Sequence, residues 1–236
     1  MSAGRPAIEP LADDAWLLVF GDVIDDELNR RVHATATRLS ALGLEGVQDI
    51  VPAYAGLAVF FDPGEVDRDR VRQHLLDAAL SDTGAVETVH SRQIDVPVLY
   101  GGAAGPDLDT ASAELGMEPD ELVRRHASGH YTVAMIGFAP GFPYLSGLDA
   151  DLALPRLDSP RVRVAAGSVG IAGAQTGIYP RESPGGWHLL GRTPLPLFDP
   201  LREPPCSLAP GDRVRFKAID ASEFDRLADN PGAGSA

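Results

Sequence analysis

The stretch RVRVAAGSVGIAGAQTGIYPRESPGGWHLLGR, residues 161–192, decides how the second half of this chain folds. RVRVA (161–165) and WHLLG (187–191) are short strand-like runs, and the residues between them are punctuated by glycine and proline. Residues 167–187 alone hold six glycines. On either side, YTVAMIG (131–137) and RVRFKAI (213–219) repeat the texture, and ten of the 25 glycines in the chain fall within residues 137–191. Short strands joined by Gly- and Pro-rich connections read as an all-β sandwich or barrel.

The first part of the chain has a different rhythm. WLLVF (16–20) reads as a buried strand, and residues 25–42 place Leu28, Val32, Thr35, Leu39 and Leu42 on one helical face. Asp25 or Asp26 can cap that helix and Gly43 suits its end. VQDIVPAY (47–54) and LAVFF (57–61) follow as paired strands, then a helix with Val71, Leu75 and Ala78 on one side, then ETVHSRQIDVPV (87–98) as a last strand. The order β-α-β-β-α-β predicts a ferredoxin-like domain over residues 1–92, with the barrel domain over 93–236, an α+β chain in total. Between them, residues 107–129 read as two short helices, and ADNPGAGSA (228–236) reads as a disordered tail.

Composition excludes several functions. Lys+Arg of 20 against Asp+Glu of 34 gives a net charge of −14, the wrong sign for a nucleic-acid surface or an anionic membrane. The helix pair at 107–129 is not a DNA reader, because residues 107–126 carry six acids against Arg124 and Arg125. No apolar run approaches a membrane span and the first residues lack a signal peptide's apolar core, so the expected compartment is the cytoplasm. With Cys206 as the single cysteine, no internal disulfide or CxxC metal site can form. The basic residues are clustered: Arg156, Arg161, Arg163, Arg181 and Arg192 face only Asp158 and Glu182 within residues 156–192. A basic, glycine-rich segment in an acidic chain suggests a small anionic ligand, and arginines pairing with acids elsewhere in the fold is the plain alternative.

The glycines at 167, 170 and 173 are spaced G-x-x-G-x-x-G, which is not the dinucleotide fingerprint, and no GK[ST] follows to make a P-loop. What remains is backbone chemistry: Gly167, Gly170 and Gly173 can turn successive N–H groups toward one concavity that holds a carboxylate, a phosphate or an oxyanion. Gln175, Thr176, Tyr179 and Ser183 add donors and acceptors, and Arg181 and Arg192 add forked positive charge, with Arg181 expected to meet the ligand and Arg192 expected to be the more structural of the two. Upstream, GFAPGFPYLSG (137–147) supplies Phe138, Phe142 and Tyr144 for an apolar wall, so both loops are expected to line one cleft. No catalytic residue is assigned from the sequence.

These motifs carry a resemblance. GFAPGFPYLSGLD together with residues 155–200 is similar to the family of the bacterial 5-oxoprolinase B subunit, which also takes in the sporulation-kinase-inhibitor type and allophanate hydrolase subunit 1. The likeness extends through FGDVIDDELNRRV, DIVPAYAGLAVFFDP, VLYGGAAGPDL and LAPGDRVRF, almost the whole chain. It departs at Ala165-Ala166, where the family commonly has Pro-Ala, and at Ser146, where glycine is common. The resemblance implies a small α/β domain followed by a cyclophilin-like β-barrel. It also implies one component of an enzyme that opens 5-oxoproline (pyroglutamate) to L-glutamate, with ATP and Mg2+ used by the assembled complex and none evident on this chain. Phosphorylating the lactam oxygen would turn it into a leaving group. Expected partners are the C-type and A-type subunits of 5-oxoprolinase, without nucleic acid or membrane. The alternatives it implies are a module inhibiting a sensor histidine kinase, or a carboxyltransferase-type subunit of urea or allophanate metabolism.

Lys217 is the only lysine, and it lacks the flanking methionines of a biotin acceptor. Of the six histidines, His33, His74 and His90 read as surface or packing residues, His126 and His130 straddle Gly129, and His188 follows Trp187 in the motif. None is read as a metal ligand.

Overall fold

The computed structural model describes residues 6–81 and 92–229. The chain divides into two compact units, and the boundary between residues 90 and 91 falls in the stretch outside the described residues.

The first unit begins with a hairpin of Ala7–Ala12 (β1) and Ala15–Val19 (β2), continues through the helix Asp26–Leu42 (α1) and the hairpin Val47–Pro52 (β3) and Gly56–Phe61 (β4), and ends in the helix Arg68–Leu80 (α2). The four strands form one antiparallel sheet in the order β1-β2-β4-β3. In β4 the alternation of GLAVFF buries Leu57, Val59 and Phe61 on one face. Val32 and Leu39 of α1 and Val71, Leu75 and Ala78 of α2 close over that face, together with Trp16 and Leu18. Each large side chain removed from water there contributes about 1.5–3 kcal/mol. The Asp25 carboxylate caps α1 by accepting from Leu28 N–H at 2.9 Å, and Gly43 ends the helix in the left-handed region.

A ferredoxin-like sheet is not what the described residues build. From β2 to α2 the elements follow the expected order, but the place beside β2 is taken by β1, from a segment with no strand signal in its sequence. The strand expected to close the unit splits: residues 87–91 of ETVHSRQIDVPV lie outside the described residues, while Gln93–Tyr100 (β5) belongs to the second unit. Its burial explains the assignment. QIDVPVLY is buried almost continuously at its centre, as a strand covered on both faces must be, with Val96 and Val98 fully enclosed.

The second unit is a closed barrel of seven strands. After β5 come the two expected short helices, Leu108–Glu114 (α3) and Pro119–Ser128 (α4). Then follow Tyr131–Ile136 (β6), Pro143–Ser146 (β7), Arg161–Val164 (β8), Ser168–Ala172 (β9), Gln175–Ile178 (β10), Ser183–Gly185 (β11), His188–Arg192 (β12), Arg213–Ala218 (β13) and the helix Ala221–Asp229 (α5). The barrel order is β10-β7-β6-β13-β5-β12-β9, while β8 and β11 form a separate two-stranded ribbon. Val96, Val133, Leu145, Val169, Ile171, Ile178 and Phe216 fill the interior. Strands β5 and β13 pair in parallel from Gln93↔Arg213 to Val98↔Ala218, and every other barrel pairing is antiparallel. Arg92 and Asp212 form a two-pronged ion pair beside that parallel seam, at 3.1 and 2.5 Å. Of the tail expected to be disordered, Ala228 and Asp229 end α5, and residues 230–236 lie outside the described residues.

Candidate functional site

The two motif segments meet. Phe142, at the end of the 137–142 turn, is buried with its ring centroid 5.2 Å from Tyr179, 5.6 Å from Trp187 and 4.8 Å from Tyr144. Ala139, Val164, Ala172 and Leu189 complete this satellite core. Phe138 stands apart from it: its backbone is left-handed at φ 64°, its side chain is 63% exposed, and it touches Phe142 edge-on. A non-glycine residue held there is strained. Burial pushes the Tyr179 phenol up to about 12 and raises that of Tyr144, so both remain protonated at neutral pH.

The glycines serve closure more than ligand display. Gly167 sits at φ +83°, its N–H donates to the Tyr179 carbonyl at 2.7 Å, and its carbonyl accepts from Thr193 N–H at 2.9 Å. A Cβ there would stand 2.2 Å from the Thr193 carbonyl oxygen. Gly170 lies inside β9 between β10 and β12, where a Cβ would stand 2.9 Å from the His188 carbonyl. Gly173 makes the turn from β9 to β10 and donates to Leu154. The expected concavity of free N–H groups is therefore not formed by Gly167 and Gly173, because the ladder and the turn already use those donors.

The remaining sequence candidates scatter. Thr176 is fully buried inside the barrel, Gln175 is half-buried at the start of β10, and Ser183 on β11 has a buried hydroxyl with no partner among the described residues. Arg181 is exposed in the turn before β11 and makes no hydrogen bond or ion pair among the described residues. Arg192, at the end of β12, donates from Nε to the Ala166 carbonyl at 2.8 Å.

Inside the barrel a polar line crosses the apolar core. Tyr100 Oη lies 2.8 Å from His126 Nδ1, His126 Nε2 lies 2.9 Å from Thr176 Oγ1, and Thr176 donates to the Gly170 carbonyl at 3.0 Å. Because the threonine proton is committed to Gly170, His126 carries its own proton on Nε2 and accepts from Tyr100 at Nδ1. Burial lowers the imidazole from its ordinary value to about 3, so it stays neutral. Its ring stacks on Phe216 at 4.7 Å. This is an architectural histidine, satisfied at both nitrogens.

A concavity lies beside β12. The loop of residues 101–107 runs along that strand, with Gly101 N–H and Asp107 N–H donating to the Leu190 and Leu189 carbonyls at 3.0 and 3.1 Å. Buried Asp107 then works twice: one carboxylate oxygen accepts from Leu189 N–H at 2.7 Å, and the other takes the Arg161 guanidinium. Above it opens a cleft of about 200 Å³ whose polar side chains are Arg161, Arg163, Ser168 and Arg192. Ala103, Ala104 and Pro106 give it an apolar wall. Of the sequence-predicted residues only Arg192 lines it. Sequence reasoning misses Asp107, although an acid closing the otherwise uncharged run VLYGGAAGP is a readable signal. Arg161 and Arg163 are visible as part of the basic stretch, but nothing in their spacing shows which arginines converge. Among the described residues no group of three His, Cys, Asp or Glu side chains could hold a metal ion, and no helix is long and apolar enough to cross a membrane.

Comparisons with known proteins agree with this architecture. Residues 6–208 match the family model described as carboxyltransferase domain, subdomain C and D. The chain is 40% identical over 230 residues to the 5-oxoprolinase B subunit of Bacillus subtilis, covering 93% of this chain and 95% of that one. It is 46% identical over 214 residues to the 5-oxoprolinase B subunit of Haemophilus influenzae, covering 89% and 96%. The crystal structure of TTHA0988 superposes with a TM-score of 0.77 at 39% identity over 88% of this chain. That protein is longer, and the present chain spans only 40% of it.

Proposed function

This chain belongs to the family of 5-oxoprolinase B subunits, a carboxyltransferase-type domain, and we propose that it is one non-autonomous subunit of an ATP-dependent enzyme that opens 5-oxoproline to L-glutamate. The observation that carries the reading is the identity of 40% and 46% to proteins of that name, nearly end to end in both chains of each comparison. The residues support a divided site. The cleft offers cationic hydrogen-bond donors and one hydroxyl but no nucleophile–base pair, and the buried histidine of the barrel is already satisfied at both nitrogens. Such a surface can bind and orient an anion; it cannot by itself activate water.

This cleft is small for a nucleotide: its volume of about 200 Å³ lies below the roughly 300–1,000 Å³ typical of drug-sized ligand pockets. ATP and Mg2+ belong, in this reading, on the A-type and C-type partners. The test is reconstitution: this chain is mixed with both partner types, and glutamate release is followed with 5-oxoproline, ATP and Mg2+. Turnover only in the full mixture is expected. Turnover by this chain alone would refute the divided site, and none in any mixture would refute the activity.

A further inference from the structure

Three guanidinium groups line the cleft beside β12, and they differ in how their charge is met. Arg161 is paired with buried Asp107. Arg163, on the rim, is paired with Glu182 at 2.5 Å, with both side chains largely exposed. Arg192 has no carboxylate partner among the described residues; only its Nε is engaged, on a backbone carbonyl. Its two terminal nitrogens, which form the fork suited to a pair of oxygens, make no hydrogen bond or ion pair to protein among the described residues. Arg161 adds a second donor to spare, since its Nη1 is buried with no hydrogen-bond partner among the described residues. A half-sheltered arginine with an open fork, beside a second guanidinium with an unmet N–H, is built to receive an anion.

We infer that this cleft binds the carboxylate of a small organic acid, with Arg192 as the bidentate anchor and the Ala103–Pro106 wall against the acid's apolar carbons. Resting on the function proposed above, that acid is 5-oxoproline, whose compact ring bears one carboxylate. The local architecture explains how the fork is held. Gly167 lets the start of β9 lie against Thr193, and the adjoining Ala166 carbonyl fixes Arg192 Nε. Asp107 fixes Arg161 from below, so Asp107 is a positioning residue and Arg161 keeps its spare donor.

The experiment titrates the full-length chain with 5-oxo-L-proline at low ionic strength, beside its uncharged amide and inorganic phosphate. The acid is expected to bind and the amide not. Arg192→Gln and Arg192→Lys should each weaken binding about ten-fold or more, the lysine variant because charge without the fork is not enough. Thermal unfolding of both variants separates a lost contact from a lost fold. In the reconstituted complex the same variants should raise the KM for 5-oxoproline by a similar factor with a smaller change in kcat. Unchanged binding and unchanged KM in folded Arg192 variants would overturn the site. Equal binding of acid and amide, or Arg192-dependent binding of phosphate alone, would overturn the carboxylate assignment. An active complex with an unaltered KM condemns the cleft and not the enzyme. An inactive complex whose isolated chain still binds the acid through Arg192 does the reverse.

Discussion

Lowering the pH from 7.5 to 5.0 should weaken the barrel through His126 alone by about 2 kcal/mol. The sign follows from burial. In the unfolded chain the imidazole has its ordinary value of about 6.5, whereas in the barrel it is lowered to about 3. Between those values the unfolded state takes up a proton that the native state refuses, so stability is complete above about pH 6.5 and falls as the pH drops toward 3. At pH 5.0 the unfolded imidazole is almost fully protonated and the folded one is not, which gives RT ln(10^1.5), about 2 kcal/mol. Carboxylates are largely ionised throughout this window and contribute little to the slope. The measurement is urea unfolding followed by Trp187 fluorescence in a Trp16→Phe background, so that only the barrel unit is read. His126→Gln supplies the comparison. That variant should be less stable at pH 7.5, by about 1–3 kcal/mol for disturbing buried hydrogen bonds to Tyr100 and Thr176, yet should lose about 2 kcal/mol less on acidification. Parallel losses in the two proteins would refute a neutral, buried imidazole.

Asp107→Asn should cost about 1–3 kcal/mol in chemical unfolding, because it uncharges the partner of Arg161 while keeping the side-chain shape that accepts from Leu189; an unchanged midpoint would show that pair to be solvent-screened. Gly167→Ala should destabilise by more than about 1 kcal/mol, since a Cβ must clear the Thr193 carbonyl from a left-handed backbone, and thermal melts will read it. Phe138→Gly should leave the fold intact or raise its stability by up to about 1 kcal/mol by relieving the left-handed strain. If assembly with the partner proteins weakens in the same variant, measured by analytical ultracentrifugation, the exposed ring lies in their interface; unchanged assembly leaves it a solvent-facing residue.

Local signals were legible in the sequence and long-range ones were not. The cap at Asp25, the stop at Gly43 and the two short helices after residue 107 rest on interactions within a few residues, and each appears where the pattern puts it. The strand β5 could be recognised but not assigned, because ETVHSRQIDVPV follows the second helix in the order a ferredoxin-like unit needs. Only pairing with β13 and β12 reveals its owner. Strand β1 had no signal at all: AIEPLA is exposed along nearly its whole length, so it lacks the alternation of a half-buried strand. At the site, the two aromatic- and glycine-rich motifs meet, but Phe142, Tyr179 and Trp187 form a buried cluster rather than the expected wall of a shared cleft, and no residue of 137–147 lines the cleft beside β12. That cleft was not legible, since Asp107, Arg161 and Arg192 come from three separated segments whose convergence depends on barrel register.

The parallel seam has a consequence for how the protein is made. Every strand pairing among the described residues of the first unit lies within residues 7–61, so that sheet can form as soon as those residues are available. In the second unit β5 is the first strand to emerge and β13 the last, yet they are neighbours across 120 residues of chain. Until β13 arrives, β5 offers an open edge beside Val96 and Val98, the kind of apolar edge that captures other chains. Pairing over such a separation is entropically costly and slow. During synthesis the barrel's aggregation hazard therefore lasts until residues 213–218 dock, and the Arg92–Asp212 clasp, joining the residues just before the two strands, is placed to hold that final closure in register.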